Sequence, residues 1–229
     1  KEPVRALRRA LEPPAVRLLR EFVGVPQGVK FVVDLRAELL VLGKTDAALL
    51  DNGEKVANSL LSSLDELFSD ARKPGPMSKD QWDTAKKDMQ KRALRCLAWV
   101  QMQKKNWDAA EKTVVTLLGV NPADAEVSYW MYTIIRSGGK PERRSTAFWH
   151  LARSASLTGT GAWPDAQRKQ VDEFFVKAYN AYHGPDEHGL AELRKAALAS
   201  PMPPDGFYIK TATEIATEKE NEFKKSNPQ

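Results

Sequence analysis

The side chains best suited to chemistry are few and widely spaced in this chain of 229 residues, which has one cysteine and three histidines. Two of the histidines, His183 and His188, enclose Asp186 and Glu187. Histidine and carboxylate side chains are metal ligands, but a closed metal site needs about four of them in a fixed geometry. This short run supplies too few ligands. We therefore interpret it as a solvated capping turn and predict no metal site.

The other candidate groups also lack the partners that catalysis requires. Cys96 has no helix start or histidine close to it in sequence, which predicts a buried, unreactive thiol. His150 lies beside Trp149 and is expected to be a packed or half-exposed helix residue. The run Thr-Gly-Thr-Gly at residues 158–161 lacks the lysine and the strand-to-helix context of a phosphate-binding loop. We predict no catalytic residue, no cofactor and no enzymatic activity for this chain.

Positive charge is concentrated near the N-terminus. Residues 1–44 hold nine basic and five acidic side chains, whereas residues 45–229 hold 26 and 25. The N-terminal basic residues are interrupted by acids and are not interleaved with aromatics, so we expect no nucleic-acid binding. No apolar run reaches the ~20 residues of a membrane span, and the compartment stays open between cytoplasm and periplasm. The change in charge marks a candidate domain boundary near residue 44.

Apolar residues recur at helical spacing along the whole chain, and no period-two alternation bounded by hairpin turns occurs, which predicts an all-α fold. We expect three helices within residues 3–42. Ser78 and Gln81 have the spacing of a capping box and begin a long helix after a Pro-Gly-Pro linker. The remaining predicted helices cover approximately residues 45–70, 79–104, 107–118, 123–136, 141–157, 164–183, 186–199 and 211–225. The tryptophans of these helices favour core packing, with groove lining as the alternative, and they are Trp99, Trp107, Trp130 and Trp149.

Residues 91–124 are predicted to form a pair of helices. The length of this segment, 34 residues, equals the period of a helical repeat. Small side chains at Ala98 and Ala110 allow two antiparallel helices to approach closely, and Pro122 closes the pair. The predicted packing positions are Leu94, Leu97, Ala98, Ala110, Val114, Leu117 and Pro122. This segment resembles a tetratricopeptide repeat, although Gln101 stands where that family often has an aromatic residue.

The following segment, from residue 124 to about 157, resembles a degraded second repeat that uses Tyr129, Tyr132, Ala147 and Leu151. The C-terminal sequence is similar to the ends of a group of bacterial tetratricopeptide repeat proteins. The resemblance implies that residues 45–229 form a solenoid of antiparallel helix pairs. It also implies a non-enzymatic scaffold whose concave surface binds a protein or peptide partner.

A different pattern occupies residues 3–42. The runs at residues 7–14 and 28–40 closely resemble the N-terminal helical domain of bacterial malonyl-CoA decarboxylases. In that family the helical domain serves association between subunits, and no catalytic residue carries over to this segment. The resemblance implies an alternative function as an oligomerisation module of a decarboxylase-related enzyme, with a homo-oligomer as the partner. The sequence leaves open whether residues 1–44 and 45–229 are a natural fusion, an engineered one or separate pieces.

Overall fold

The computed structural model describes residues 47–185 and 187–227, in which every regular element is helical. The prediction of an all-α fold is therefore confirmed over these residues. The helices are α1 (Ala47–Leu67), α2 (Lys79–Gln103), α3 (Trp107–Val120), α4 (Ala125–Ser137), α5 (Arg144–Ser156), α6 (Asp165–His183), α7 (Glu187–Ala199) and α8 (Ala212–Ser226), with 3₁₀ turns at Asp70–Arg72 and Pro141–Arg143. The helices predicted within residues 3–42 and the boundary predicted near residue 44 lie outside the described residues. The solenoid arrangement remains a prediction.

The chain divides into two compact units, and the division falls within α3. The first unit ends at Thr113 and the second begins at Val114. Helices α1 and α2 belong to the first unit, whereas α4 to α8 belong to the second.

The first unit is a helical hairpin. Residues close together in sequence set its connection and the start of α2. Pro74 and Pro76 keep the connection out of the helices, and Ser78 then caps α2. The Gln81 amide donates to Ser78 Oγ over 3.2 Å, and the Ser78 amide donates to Gln81 Oε1 over 2.9 Å. The predicted capping box is therefore confirmed. These two hydrogen bonds satisfy donors that a helix start would otherwise leave unpaired.

Apolar side chains of α1 and α2 form the core of the first unit, which is lined by Leu50, Ala57, Leu60, Leu64, Trp82, Ala85, Met89, Ala93, Cys96, Leu97 and Val100. Trp82 is the largest of the fully buried side chains, with 1% exposure. Its indole Nε1 donates to the Phe68 carbonyl over 3.0 Å, and the two rings lie 4.6 Å apart. This contact fixes the end of α1 against the start of α2.

The second unit is organised around α5. Ten of its 13 residues are buried, and the helix packs against α4, α6 and α7. Small residues such as Ala147, Ala152 and Ala155 allow neighbours to approach it closely. A helix that is buried on almost every side is a core helix and has no solvated face.

The start of α5 differs from its predicted position. The sequence predicts a helix from residue 141, but a 3₁₀ turn occupies Pro141–Arg143 and the α-helix begins at Arg144. Pro141 has no amide hydrogen, and the Arg143 amide donates to the Lys140 carbonyl over 3.1 Å. This first turn therefore closes with the tighter i to i+3 hydrogen bond that is common at helix ends.

Candidate interaction surface

The structure buries six of the seven predicted repeat-packing residues. Leu94 and Leu97 are 5% exposed and the side chains of Ala98, Ala110, Val114 and Leu117 are fully buried, whereas Pro122 is exposed. The first four belong to the first unit, and Val114, Leu117 and Pro122 belong to the second. The assignment of these residues to a tetratricopeptide repeat remains a prediction.

Gln101 is buried where the repeat family often has an aromatic residue. Its Oε1 accepts a 2.7 Å hydrogen bond from Thr113 Oγ1, and both side chains are less than 9% exposed. A buried amide needs such a partner because an unpaired polar group in the core costs free energy. The polar residue is therefore accommodated by a second polar residue within the first unit.

A turn at residues 121–124 starts α4 in the second unit. Asp124 caps the helix by accepting the Val127 amide over 3.0 Å, and it also accepts Asn121 Nδ2 over 2.9 Å. The segment before α6 packs directly on this turn, because the Gly161 carbonyl accepts the Ala125 amide over 2.9 Å. Gly161 has φ of +85°, and a Cβ there would lie 1.7 Å from the Ala123 carbonyl oxygen. Glycine is therefore required at this approach.

Arg153 of α5 joins this turn to the end of α7. The side chain is 4% exposed. Its Nη2 donates to the Pro122 carbonyl over 2.7 Å, and its Nη1 donates to the Ala197 and Ser200 carbonyls over 2.5 Å and 3.1 Å. Burial lowers the pKa of Arg153, but carbonyl oxygens at a helix C-terminus favour a cation. Sequence reasoning missed this residue, whose only signal is an arginine among small and apolar side chains.

His150 lies one turn before Arg153 and is fully buried. Neither ring nitrogen has a hydrogen-bond partner among the described residues. Burial, followed by the positive charges of Arg153 and Arg143, lowers the pKa of His150 to about 3. The imidazole is therefore neutral at neutral pH. Of the two positions predicted for this histidine, the packed one is confirmed.

Four aromatic side chains form a row across the second unit, which we call the aromatic row: Tyr129, Tyr132, Trp163 and Phe174. Tyr129 and Tyr132 belong to α4, Phe174 belongs to α6, and Trp163 precedes α6. Ring centroids are 5.9 Å apart for Tyr129 and Tyr132 and 5.8 Å apart for Tyr132 and Phe174. The 6.3 Å contact of Tyr129 with Trp163 completes the row.

The aromatic row is held by buried polar contacts on its inner side. Trp163 Nε1 donates to Ser154 Oγ over 2.9 Å, and Ser154 Oγ donates to the Ala125 carbonyl over 2.7 Å. Ser154 is fully buried. This chain of hydrogen bonds connects Trp163 to α5 and α4, so the rings are positioned by the core of the unit.

The outer side of the aromatic row faces solvent and carries polar groups that form no hydrogen bond with the described residues. Phe174 is 42% exposed. In the part of the chain that the structure describes, the hydroxyls of Tyr129 and Tyr132 form no hydrogen bond. Arg136 is exposed with its guanidinium carbon 5.8 Å from the Tyr132 ring centroid, and Lys177 is exposed one turn after Phe174. Burial raises the pKa of Tyr132, so its hydroxyl stays protonated and can donate.

The tryptophans divide between core and surface roles. Trp130 and Trp149 are 7% and 3% exposed, which agrees with the predicted core packing, whereas Trp99 and Trp107 are half-buried. Trp163, which belongs to the aromatic row, was not among the tryptophans predicted to pack in the core. Its only signal is a tryptophan beside a predicted helix start at Pro164.

The described residues contain no group of three or more metal-binding side chains. His183 packs on the Tyr179 ring at 5.0 Å, and its Nδ1 lies 2.7 Å from the Lys210 carbonyl oxygen. Cys96 is buried, 4% exposed. None of the described helices combines the length and hydropathy needed to cross a membrane.

Comparison with known proteins gives one family match. The model of the malonyl-CoA decarboxylase N-terminal domain matches residues 1–69. No curated protein and no solved structure matches the chain. The matched range contains all of α1 and ends before α2. Residues 1–69 are thus similar to the N-terminal domain of malonyl-CoA decarboxylases, and the tetratricopeptide resemblance of the remainder stays a prediction.

Proposed function

We propose that this chain is a non-enzymatic helical module that binds a segment of a partner protein through the aromatic row. The observation that carries the proposal is the exposure of Phe174 at 42% beside Tyr132, whose ring is buried and whose hydroxyl is unused. Tyrosine and tryptophan dominate protein-binding sites because they combine apolar area with a polar group. An aromatic surface of this kind suits a protein partner.

The charges beside the row favour an acidic partner segment. Arg136 and Lys177 make no ion pair with any described residue. Arg136 stacks on the Tyr132 ring, and its N–H donors can bind a carboxylate there. We therefore infer that the partner places an apolar side chain against Phe174 and an aspartate or glutamate beside Arg136.

The fixed inner side of the row supports binding at low entropic cost. Trp163 is held through Ser154, and Asp124 caps the helix that carries both tyrosines. Side chains that are already ordered lose less conformational entropy when a partner arrives. The arrangement therefore favours recognition by preformed anchors.

Selection of peptides from a random display library on the full-length chain tests this proposal. We expect selected peptides to combine an apolar residue with aspartate or glutamate and to bind Phe174→Ala at least tenfold more weakly, a loss of about 1.4 kcal/mol or more in binding free energy. Phe223→Ala is the matched control, since Phe223 is an exposed phenylalanine of α8 at 67% exposure. Peptides rich in lysine, or binding that Phe174→Ala leaves intact, would contradict the proposal.

The family match favours a second candidate function, association between copies of the chain through residues 1–69. The apolar face of α1, including Leu50, Leu60 and Leu64, is already buried in the core that it shares with α2. Association would therefore use residues 1–46 or the outer face of α1. Light scattering of the full chain over a range of concentrations tests this function: a stable multiple of 25.6 kDa supports it, and a monomer throughout contradicts it.

A further inference from the structure

The second unit has a polar pocket beside α6. The pocket and Phe174 lie on opposite sides of this helix. The pocket has a volume of about 450 Å³ and lies between the end of α5, the first turns of α6, and α7. Its polar lining consists of Ser156, Asp165, Arg168, Lys169, Asp172 and Arg194. A volume of a few hundred cubic ångströms is the range in which proteins bind small ligands or single side chains.

The pocket holds more positive than negative charge. Three cationic side chains face two carboxylates, and each carboxylate already pairs with an arginine: Asp165 with Arg168 at 2.9 Å, and Asp172 with Arg194. Lys169 forms no ion pair with the described residues and is exposed. Each arginine uses only one terminal nitrogen for its carboxylate, so the remaining donors are available to an incoming anion.

Arg194 is held rigidly at the pocket wall. Its guanidinium carbon lies 4.9 Å from the centroid of the buried Phe175 ring, and the Asp172 carboxylate fixes one of its nitrogens. The same nitrogen lies 3.4 Å from Ser156 Oγ. A planar guanidinium fixed on one edge presents its other edge to a carboxylate at little entropic cost.

Two of the lining side chains are apolar, Ala155 and Leu198, and Leu198 is 44% exposed. Leu198 lies one turn after Arg194 on α7, so an aliphatic surface adjoins the guanidinium. A ligand that carried only charge would leave Leu198 in water. Cations beside a small aliphatic surface therefore select a ligand that has both an anionic and an aliphatic part.

We propose that this pocket binds a carboxylate carried beside a short aliphatic group. Two sources have this chemistry: an acidic side chain next to an aliphatic residue in a peptide, and a free short-chain carboxylic acid. The site does not depend on the aromatic row, because Asp172 lies on the side of α6 that faces Arg194 of α7 and Phe174 lies on the side that faces Tyr132 of α4. Failure of either site leaves the other intact.

Nuclear magnetic resonance titration of the full-length chain tests the pocket, with acetyl-Glu-Leu-amide and 4-methylpentanoate as the two probes. We expect saturable shifts of the arginine side-chain signals of Arg168 and Arg194 and of the Leu198 methyl groups. Salt should weaken the binding because the anion is held by charge. The better-binding probe identifies the source: acetyl-Glu-Leu-amide indicates a peptide, and 4-methylpentanoate indicates a free acid.

Two lysine substitutions separate the pocket from its surroundings. Lys169→Gln should weaken probe binding by about two- to fivefold, the effect expected for an exposed charge. Lys219→Gln, at an exposed lysine of α8 outside both the pocket and the aromatic row, should leave probe binding unchanged. The proposal is overturned if acetyl-Gln-Leu-amide binds equally well, or if inorganic phosphate binds more tightly than both probes. It is also overturned if both lysine variants have the same effect on probe binding, or if the pocket signals do not shift. Phe174→Ala should not affect this titration.

Discussion

Both units bury polar side chains, but the second unit buries more of them. The core of the first unit is the apolar interior of a helical hairpin, and Lys104 makes partly exposed ion pairs with Asp51 and Glu54 at its surface. The second unit places Arg153, His150 and Ser154 inside its central helix. Apolar burial stabilises many related packings, whereas buried polar groups are satisfied in few of them. We infer that the hydrogen bonds of Arg153 and Ser154 specify the arrangement that positions the aromatic row, whereas His150 makes none with the described residues.

Removal of the buried arginine should have the largest effect. Arg153→Met leaves the Pro122, Ala197 and Ser200 carbonyls without their donor, and we expect a loss of about 3 kcal/mol or more in the free energy of unfolding. Denaturant unfolding measures this loss of stability. Arg144→Met, at the exposed start of the same helix, is the control and should change stability by less than about 0.5 kcal/mol. Equal losses in the free energy of unfolding for the two variants would contradict the claim that Arg153 organises the second unit.

The close approach at Gly161 gives the next largest effect. Gly161→Ala adds a methyl group 1.7 Å from the Ala123 carbonyl oxygen, so the segment before α6 must move away from the turn. Gly159→Ala is a matched control, because its φ of +75° gives the same left-handed strain with no atom within 4 Å. We expect Gly161→Ala to lower the melting temperature further than Gly159→Ala. Identical melting temperatures would mean that the turn tolerates displacement.

Acid should destabilise the second unit through His150. Because the folded pKa of about 3 lies below the ordinary value of 6.5, the unfolded state binds more protons between these values, and stability falls as the pH falls through this window. The expected loss from pH 7 to pH 5 is about 2 kcal/mol. Hydrogen exchange of the α5 amides measures it, and His150→Leu should flatten the dependence. An unchanged pH dependence in that variant would contradict this account.

The buried polar pair of the first unit should give the smallest effect. Thr113→Val leaves the Gln101 amide without its partner, which we expect to cost about 1–2 kcal/mol. Combining it with Gln101→Leu should restore part of the loss, since no unpaired polar group then remains. Strictly additive losses in the double variant would show that the two side chains do not act as a pair.

The sequence predicts the helices well because their signals are local. Ser78 with Gln81 begins α2, and the apolar spacing within α1 and α2 is enough to mark their buried faces. Burial of Ala98 and Ala110 agrees with the small-residue pattern of the predicted helix pair.

The long-range contacts of the second unit were not predictable in the same way. Arg153 meets carbonyls 31 and 44 residues away in sequence, and Phe174 meets Tyr132 across two helices. Neither contact has a periodic or motif signal, because each depends on how α4, α5, α6 and α7 pack. Arg153 shows the limit most clearly: an arginine predicts a solvated position by type, and only the tertiary structure provides its acceptors.

The measurement that tests the central claim most directly is the nuclear magnetic resonance map of a selected acidic peptide on the full-length chain. The account predicts that shifts upon binding concentrate on α4 and α6, at Tyr129, Tyr132, Arg136 and Phe174. Shifts confined to the first unit, or spread evenly over the chain, would contradict the assignment of the aromatic row as the binding surface.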